Sequence, residues 1–180
     1  ITNCYVYNNT CSIELSFSSE NNIINCYLTG NQYGVSIDNS WKNKIISCYI
    51  SENSYGIYIY GGYSTGYNNS IYHNNFINNT NQSIDPSTAM GLSNFWDNGY
   101  PSGGNYWSDY EGIDEKSSPN QDQPGSDGMG DVPYVIDENN NDRYPLMKPW
   151  AIMPEKDLYF VDVEVIQVVH GASELIAGKS

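Results

Sequence analysis

Four stretches of this chain repeat the same order of residue types. Ile1, Ile23 and Ile45 follow one another at intervals of 22 residues, and Ile71 comes after 26 because of an insertion around residues 60–67. Three positions past the first three anchors stand Cys4, Cys26 and Cys48, with Asn74 in the fourth copy. Two further on are Val6, Leu28, Ile50 and Phe76, and eight past each anchor are Asn9, Asn31, Asn53 and Asn79. Paired apolar positions follow, Ile13/Leu15, Val35/Ile37 and Ile57/Ile59, and Ile84 alone remains in the last copy. A period of about 20–25 residues is the mark of a solenoid.

Within each copy, apolar and polar residues alternate at period two, the pattern of a strand and not of a helix. Asn, Gly and Ser punctuate runs of only a few residues, as turns between short strands require. The Leu-x-x-Leu-x-Leu spacing of leucine-rich repeats, which share this period, is absent. The expected fold is therefore all-β: a right-handed parallel β-helix of about four 22-residue coils over residues 1–84. Residues 85–150 are expected to form an irregular aromatic and acidic C-terminal cap. Residues 151–180 should hold a linker and the first strands of a truncated β-sandwich. The chain opens inside a repeat and reads as a piece of a longer protein.

Strands of adjacent coils lie ~4.8 Å apart, so equivalent positions stack in columns. Asn9, Asn31, Asn53 and Asn79 are expected to form an asparagine ladder with amides bonded from coil to coil. Cys4, Cys26 and Cys48 should form an inward column of buried free thiols. Stacked thiols do not converge on a tetrahedral metal site and offer no unique disulfide partner. Tyr5, Tyr27 and Tyr49 fall between inward positions and should stand outside. Such a column can stack on sugar rings or on a partner, and cross-strand packing alone also favours Tyr there.

Charge narrows the partners. Twenty-one acids against seven Lys and Arg give −14, and twelve of the acids lie in residues 85–150. Nucleic acid is excluded as a partner on that balance. No apolar stretch approaches the ~20 residues of a membrane span, so no membrane insertion is expected within these residues. Sequons begin at Asn8, Asn68, Asn78 and Asn81, compatible with a surface protein.

The repeat Asn-x-Ile-x-x-Cys/Asn-x-Ile-x-x-Asn-x-x-Tyr-Gly-Ile-x-Ile, as in Asn43-Lys44-Ile45 through Ser54-Tyr55-Gly56-Ile57-Tyr58-Ile59, resembles that of NosD-like and related carbohydrate-binding or sugar-hydrolase β-helix proteins. Residues 103–110, 127–134 and 142–150 are similar to the segment closing such β-helices in archaeal cell-surface proteins. Residues 157–180 are similar to the opening of the immunoglobulin-like adhesion domains appended to them. The resemblance implies an extracellular or cell-surface location, with a glycan or other cell-surface proteins as partners.

Asp127-Gly128-Met129-Gly130-Asp131 resembles a calcium-binding loop, for which Asp122, Asp127 and Asp131 are the candidate Ca2+ ligands. Asp-Gly pairs also make ordinary solvated turns. Glycan cleavage needs two carboxylates facing one bond. The coil acids Glu14, Glu20, Asp38 and Glu52 fall at four different offsets from their anchors, so no two share a column. Copper would need clustered His, Met or Cys, and the four Met and two His are scattered. The reading is a noncatalytic structural or adhesive surface protein. The alternative is the C-terminal part of a polysaccharide lyase or hydrolase whose catalytic coils are missing.

Overall fold

A computed structural model describes residues 1–60, 68–85 and 93–151, and the strand backbone at 159–160, 166–169 and 176–177. The first coil holds β1 (Cys4–Tyr7) and β2 (Cys11–Ser16). The second holds β3 (Asn22–Ile24), β4 (Tyr27–Thr29) and β5 (Tyr33–Asp38). The third repeats this as β6 (Lys44–Ile46), β7 (Tyr49–Ser51) and β8 (Tyr55–Tyr60), and the fourth as β9 (Ser70–Tyr72), β10 (Asn75–Ile77) and β11 (Asn81–Ile84). Each strand pairs in parallel with its equivalent in the next coil, giving three sheets: β3-β6-β9, β1-β4-β7-β10 and β2-β5-β8-β11. The register keeps the repeat aligned, with Ile23 on Ile45 on Ile71, Leu28 on Ile50 on Phe76, and Val35 on Ile57. This is the parallel β-helix that the period predicts, and those side chains fill its core.

The corners explain why asparagine is so abundant. Each turn between sheets is made by a residue in the left-handed region: Asn3, Asn25, Ser47 and His73 at one corner, Asn8, Gly30, Glu52 and Asn78 at another, Glu20, Lys42 and Asn68 at a third. Among non-glycine residues Asn tolerates that region best. The residue after each corner turns inward and meets its equivalent one coil on. The predicted ladder runs through three of its four members: Asn31 Nδ2 donates to Asn53 Oδ1 (3.1 Å) and Asn53 Nδ2 to Asn79 Oδ1 (2.9 Å). Asn9 instead joins by its backbone N–H to Asn31 Oδ1 and turns its own amide to the Tyr7 carbonyl. A second ladder runs Asn21, Asn43, Asn69, Asn94. In the Cys column, the Cys48 N–H donates to Asn74 Oδ1, and Asn74 Nδ2 donates to Asn105 Oδ1.

Every such ladder points its donors towards the cap, so its last amide must find an acceptor or be left buried and unpaired. Gln82 Oε1 accepts from Asn79, Asp85 Oδ2 from Asn94, and Asp142 Oδ2 from Asn105. The Asn105 Nδ2 contact to Asp142 is long at 3.5 Å, but its backbone N–H reaches the same oxygen at 2.6 Å. Glycine has its own place here. A Cβ on Gly34 would stand 2.5 Å from the carbonyl oxygen of Gly56, and one on Gly56 would strike that of Gln82. Coil-to-coil contact through the backbone therefore requires the Tyr-Gly pairs.

The regular period ends near Ile84, but the stacking continues. Asn94 and Asn105 extend two ladders, Phe95 bridges Ser70, and β12 (Tyr106–Trp107) pairs in parallel with β10. The core column turns aromatic there. Phe76 stacks on Trp107 at 4.3 Å, and Trp107 on Tyr134 at 4.1 Å, both within 7° of parallel. At this end Trp96 and Trp107 are buried, whereas Phe95 points outward and is 54% exposed. Alternation decides it: Trp96 takes the inward position beside it.

The rest of the cap is two small hairpins, β13 (Lys116–Ser117) with β14 (Gln123–Pro124), and β15 (Tyr134–Val135) with β16 (Asn141–Asp142). In the tail, β17 (Tyr159–Phe160) pairs with β1 and β18 (Ile166–Val169) with β2, both in parallel, and β19 (Ile176–Ala177) pairs antiparallel with β18. The described tail strands thus extend two sheets of the β-helix, and the other residues of the expected β-sandwich lie outside the described residues.

Asp142 is the electrostatic centre of the cap. It accepts from the backbone N–H of Asn105 and Tyr144 and from Trp107 Nε1 at 2.9 Å. Burial nevertheless pushes its carboxyl up to about 7, above the ~3.9 of an unfolded chain. A folded state that holds a proton more tightly loses stability as pH rises between those values. Expected, then, is that the wild type loses unfolding free energy relative to Asp142→Asn as pH rises from ~4 to ~7. A difference that is flat or grows over this window, by urea titration at each pH, contradicts the assignment.

Candidate functional site

The outer face of the second sheet carries the tyrosine column in register, Tyr5 on Tyr27 on Tyr49, then Asn75 and Tyr106. The rings of Tyr5 and Tyr27 stack at 6.0 Å, and those of Tyr27 and Tyr49 at 5.1 Å. All three are half-buried. The column is interrupted at Asn75, whose amide grips the backbone of Trp150: Nδ2 donates to its carbonyl and Oδ1 accepts its N–H. The Trp150 ring then lies on His73 at 3.6 Å and 6°. Burial lowers the His73 pKa, against the pull of the Ser102 carbonyl bonded to Nε2. His73 is thus a packing residue that helps seat the start of the tail.

A second aromatic set escaped the sequence reading. Tyr33 and Tyr55 stack at 5.3 Å on the third sheet, and Tyr58 packs against both. Tyr60 continues the row at 5.4 Å from Tyr58. With Thr10, Cys11, Glu14 and Ser36, three of these tyrosines line a groove of about 450 Å³. The groove has a simple origin. Glu14, Ser36 and Tyr58 form one column, and the small Ser36 leaves a gap between two large neighbours. The Tyr-Gly pairs and the Tyr at alternate positions of β8 were the available signal.

The cysteines are free, and Cys26 and Cys48 are fully buried. At Cys26 the hydrogen bond with Cys4 pulls the pKa down, but that with Cys48 and burial prevail and push it up to about 12. Burial does the same at Cys11, also to about 12.

The acidic loops are organised by local donors. Asp122 accepts from Ser118 Oγ (2.7 Å), Asp127 from the Met129 N–H and Gln121 Nε2, and Asp131 from the N–H of Glu115 and Lys116. Asp114 accepts from the N–H of Asp127 and Gly128, which fixes the glycine loop. Among the described residues, no three His, Cys, Asp or Glu gather at metal-binding range. Arg143 forms a fork on Asp97 with bonds of 2.9 and 2.6 Å, an ion pair within the cap. Glu14 pairs with Ser36 and Ser16 with Asp38, so the two nearest coil acids occupy separate columns.

Stacked three-sheet coils, amide ladders and an aromatic outer face define a parallel β-helix protein of the solenoid class. Within that class the chain belongs to the NosD family: residues 1–112 match the family model described as periplasmic copper-binding protein (NosD). No curated protein and no solved structure matches it. The donor set does not fit a copper centre. The thiols stack one per coil, no three His, Cys, Asp or Glu gather at one point among the described residues, and His73 is committed to Ser102 and Trp150.

Proposed function

We propose that this chain is a noncatalytic β-helix of the cell surface or periplasm that binds glycan along its stacked, half-buried tyrosines. The observation that carries the reading is the stack of Tyr5, Tyr27 and Tyr49, three rings presented at the coil spacing on one outer face. An aromatic body with a polar tip suits a surface that must hold both the C–H face and the hydroxyls of a sugar. Of the two coil acids that come nearest each other, Asp38 already has its Oδ1 held by Asn39 Nδ2, which supports the noncatalytic half. The family's periplasmic description fits an extracytoplasmic location.

A glycan array tests this. Wild type is expected to bind a set of saccharides, and Tyr27→Ala with Tyr49→Ala to lose at least tenfold in affinity for some of that set, about 1.4 kcal/mol. An array with no saccharide bound by the wild type overturns the reading. Calcium at Asp122, Asp127 and Asp131 is a separate proposal with its own readout. A Tm raised by added CaCl2 supports it, and a Tm unmoved by Ca2+ and by chelator removes it.

A further inference from the structure

The groove over Ser36 differs from the tyrosine column in shape and in charge. The column Tyr5, Tyr27, Tyr49 is a stack of half-buried rings, whereas the groove is a concavity lined by Tyr33, Tyr58 and Tyr60, with a floor set by the smallest residue of its row. Its volume of about 450 Å³ lies within the range of small-ligand sites, ~300–1,000 Å³. Tyr33, Tyr58 and Tyr60 form a continuous aromatic wall, each ring 5.4 Å from the next. Opposite Tyr58, one coil below Ser36, stands the Glu14 carboxylate, which accepts hydrogen bonds and donates none. Asp38 stands one coil from Ser16 and two residues along from Ser36, and its Oδ1 is already engaged by Asn39 Nδ2.

No lysine or arginine lies on this outer face among the described residues. Lys44 is on the first sheet, and Lys42 is at a corner beside Glu20 at 3.9 Å. A ligand bearing carboxylates or sulfates would therefore meet like charge with no cation to pair it, in a chain of net charge −14. A ligand bearing hydroxyls would meet an acceptor at Glu14 and apolar rings for its C–H face.

We propose that the Tyr33–Tyr58–Tyr60 groove is a saccharide subsite for neutral sugars that rejects uronic-acid and sulfated ones. This rests on the glycan-binding reading and adds a second place and a ligand class to it. Glu14 accepts from a pair of sugar hydroxyls, Tyr58 and Tyr60 stack on the ring, and Ser36 provides the room.

The test is isothermal titration of the whole chain with neutral gluco-, manno- and galacto-hexasaccharides and with hexamers of galacturonate and mannuronate. At least one neutral probe is expected to bind at least tenfold more tightly than either acidic one. Ser36→Tyr, which puts a large ring on the buried floor, should abolish that binding, with far-UV circular dichroism reporting that the fold is kept. Glu14→Gln should weaken the neutral probe about fivefold and strengthen the uronates by a similar factor. Uronates that bind as well as neutral probes overturn the ligand class. Neutral binding unchanged in both Ser36→Tyr and Glu14→Gln, yet lost in Tyr27→Ala with Tyr49→Ala, overturns the groove and leaves the glycan reading standing. Absence of binding to every probe and to the array overturns both.

Discussion

Replacing Asn53 by alanine is expected to lower the unfolding free energy by about 3–4 kcal/mol, the upper end for a single polar side chain. Asn53 is 1% exposed and uses its whole amide. Oδ1 accepts from the N–H and the Nδ2 of Asn31, and Nδ2 donates to the Leu28 carbonyl and to Asn79 Oδ1. Alanine leaves those partners buried without water, and each such orphan costs about 1–3 kcal/mol before relaxation. Asn9, at the other end of the same ladder, is only half-buried, so Asn9→Ala should cost about 1 kcal/mol or less. Urea unfolding of the two variants measures the gradient. Equal losses at both positions would mean that the ladder does not act as a chain of buried amides.

The second large effect is at the cap. Trp107→Ala is expected to cost about 4 kcal/mol, within the range for removing a large buried aromatic. The indole lies between Phe76 and Tyr134, and its Nε1 donates to Asp142. Its loss opens a cavity at the end of the core and withdraws one donor from a buried carboxylate. Trp107→Phe restores most of the stacking but not the hydrogen bond, and should cost about 1–3 kcal/mol. The gap between the two variants separates packing from polar support. A Trp107→Ala protein as stable as the wild type would show that the β-helix does not depend on this closure.

Sequence periodicity reads the coils because every column repeats its residue type at one interval. Ile23, Ile45 and Ile71, and Asn31, Asn53 and Asn79, can be placed before any coordinate is known. The ends of the ladders cannot. Asn105 follows Asn74 by 31 residues, and Asp142 follows Asn105 by 37, so chemically equivalent positions sit behind loops of unequal length. A fixed period stops at the first such loop even where the stacking continues. The corners are hidden for another reason. Ser47, Glu52, Lys42 and His73 occupy left-handed positions as Asn does, because closing the coil imposes the conformation on whatever residue is there.

The site was legible by halves. Tyr5, Tyr27 and Tyr49 follow from alternation, and they lie half-buried with their rings stacked in register. The groove depends on Ser36 being small between Glu14 and Tyr58, a contrast across three coils that no single repeat displays. Asp122, Asp127 and Asp131 share a motif, yet the turns around them give each carboxylate its own local donors.

The most direct test of the central claim is to incubate the chain with a saccharide it binds and follow both retention and new chain ends. Saturable retention with no new reducing or unsaturated ends over days is the expected result. Product release that scales with protein concentration, or no retention of any saccharide, would contradict it.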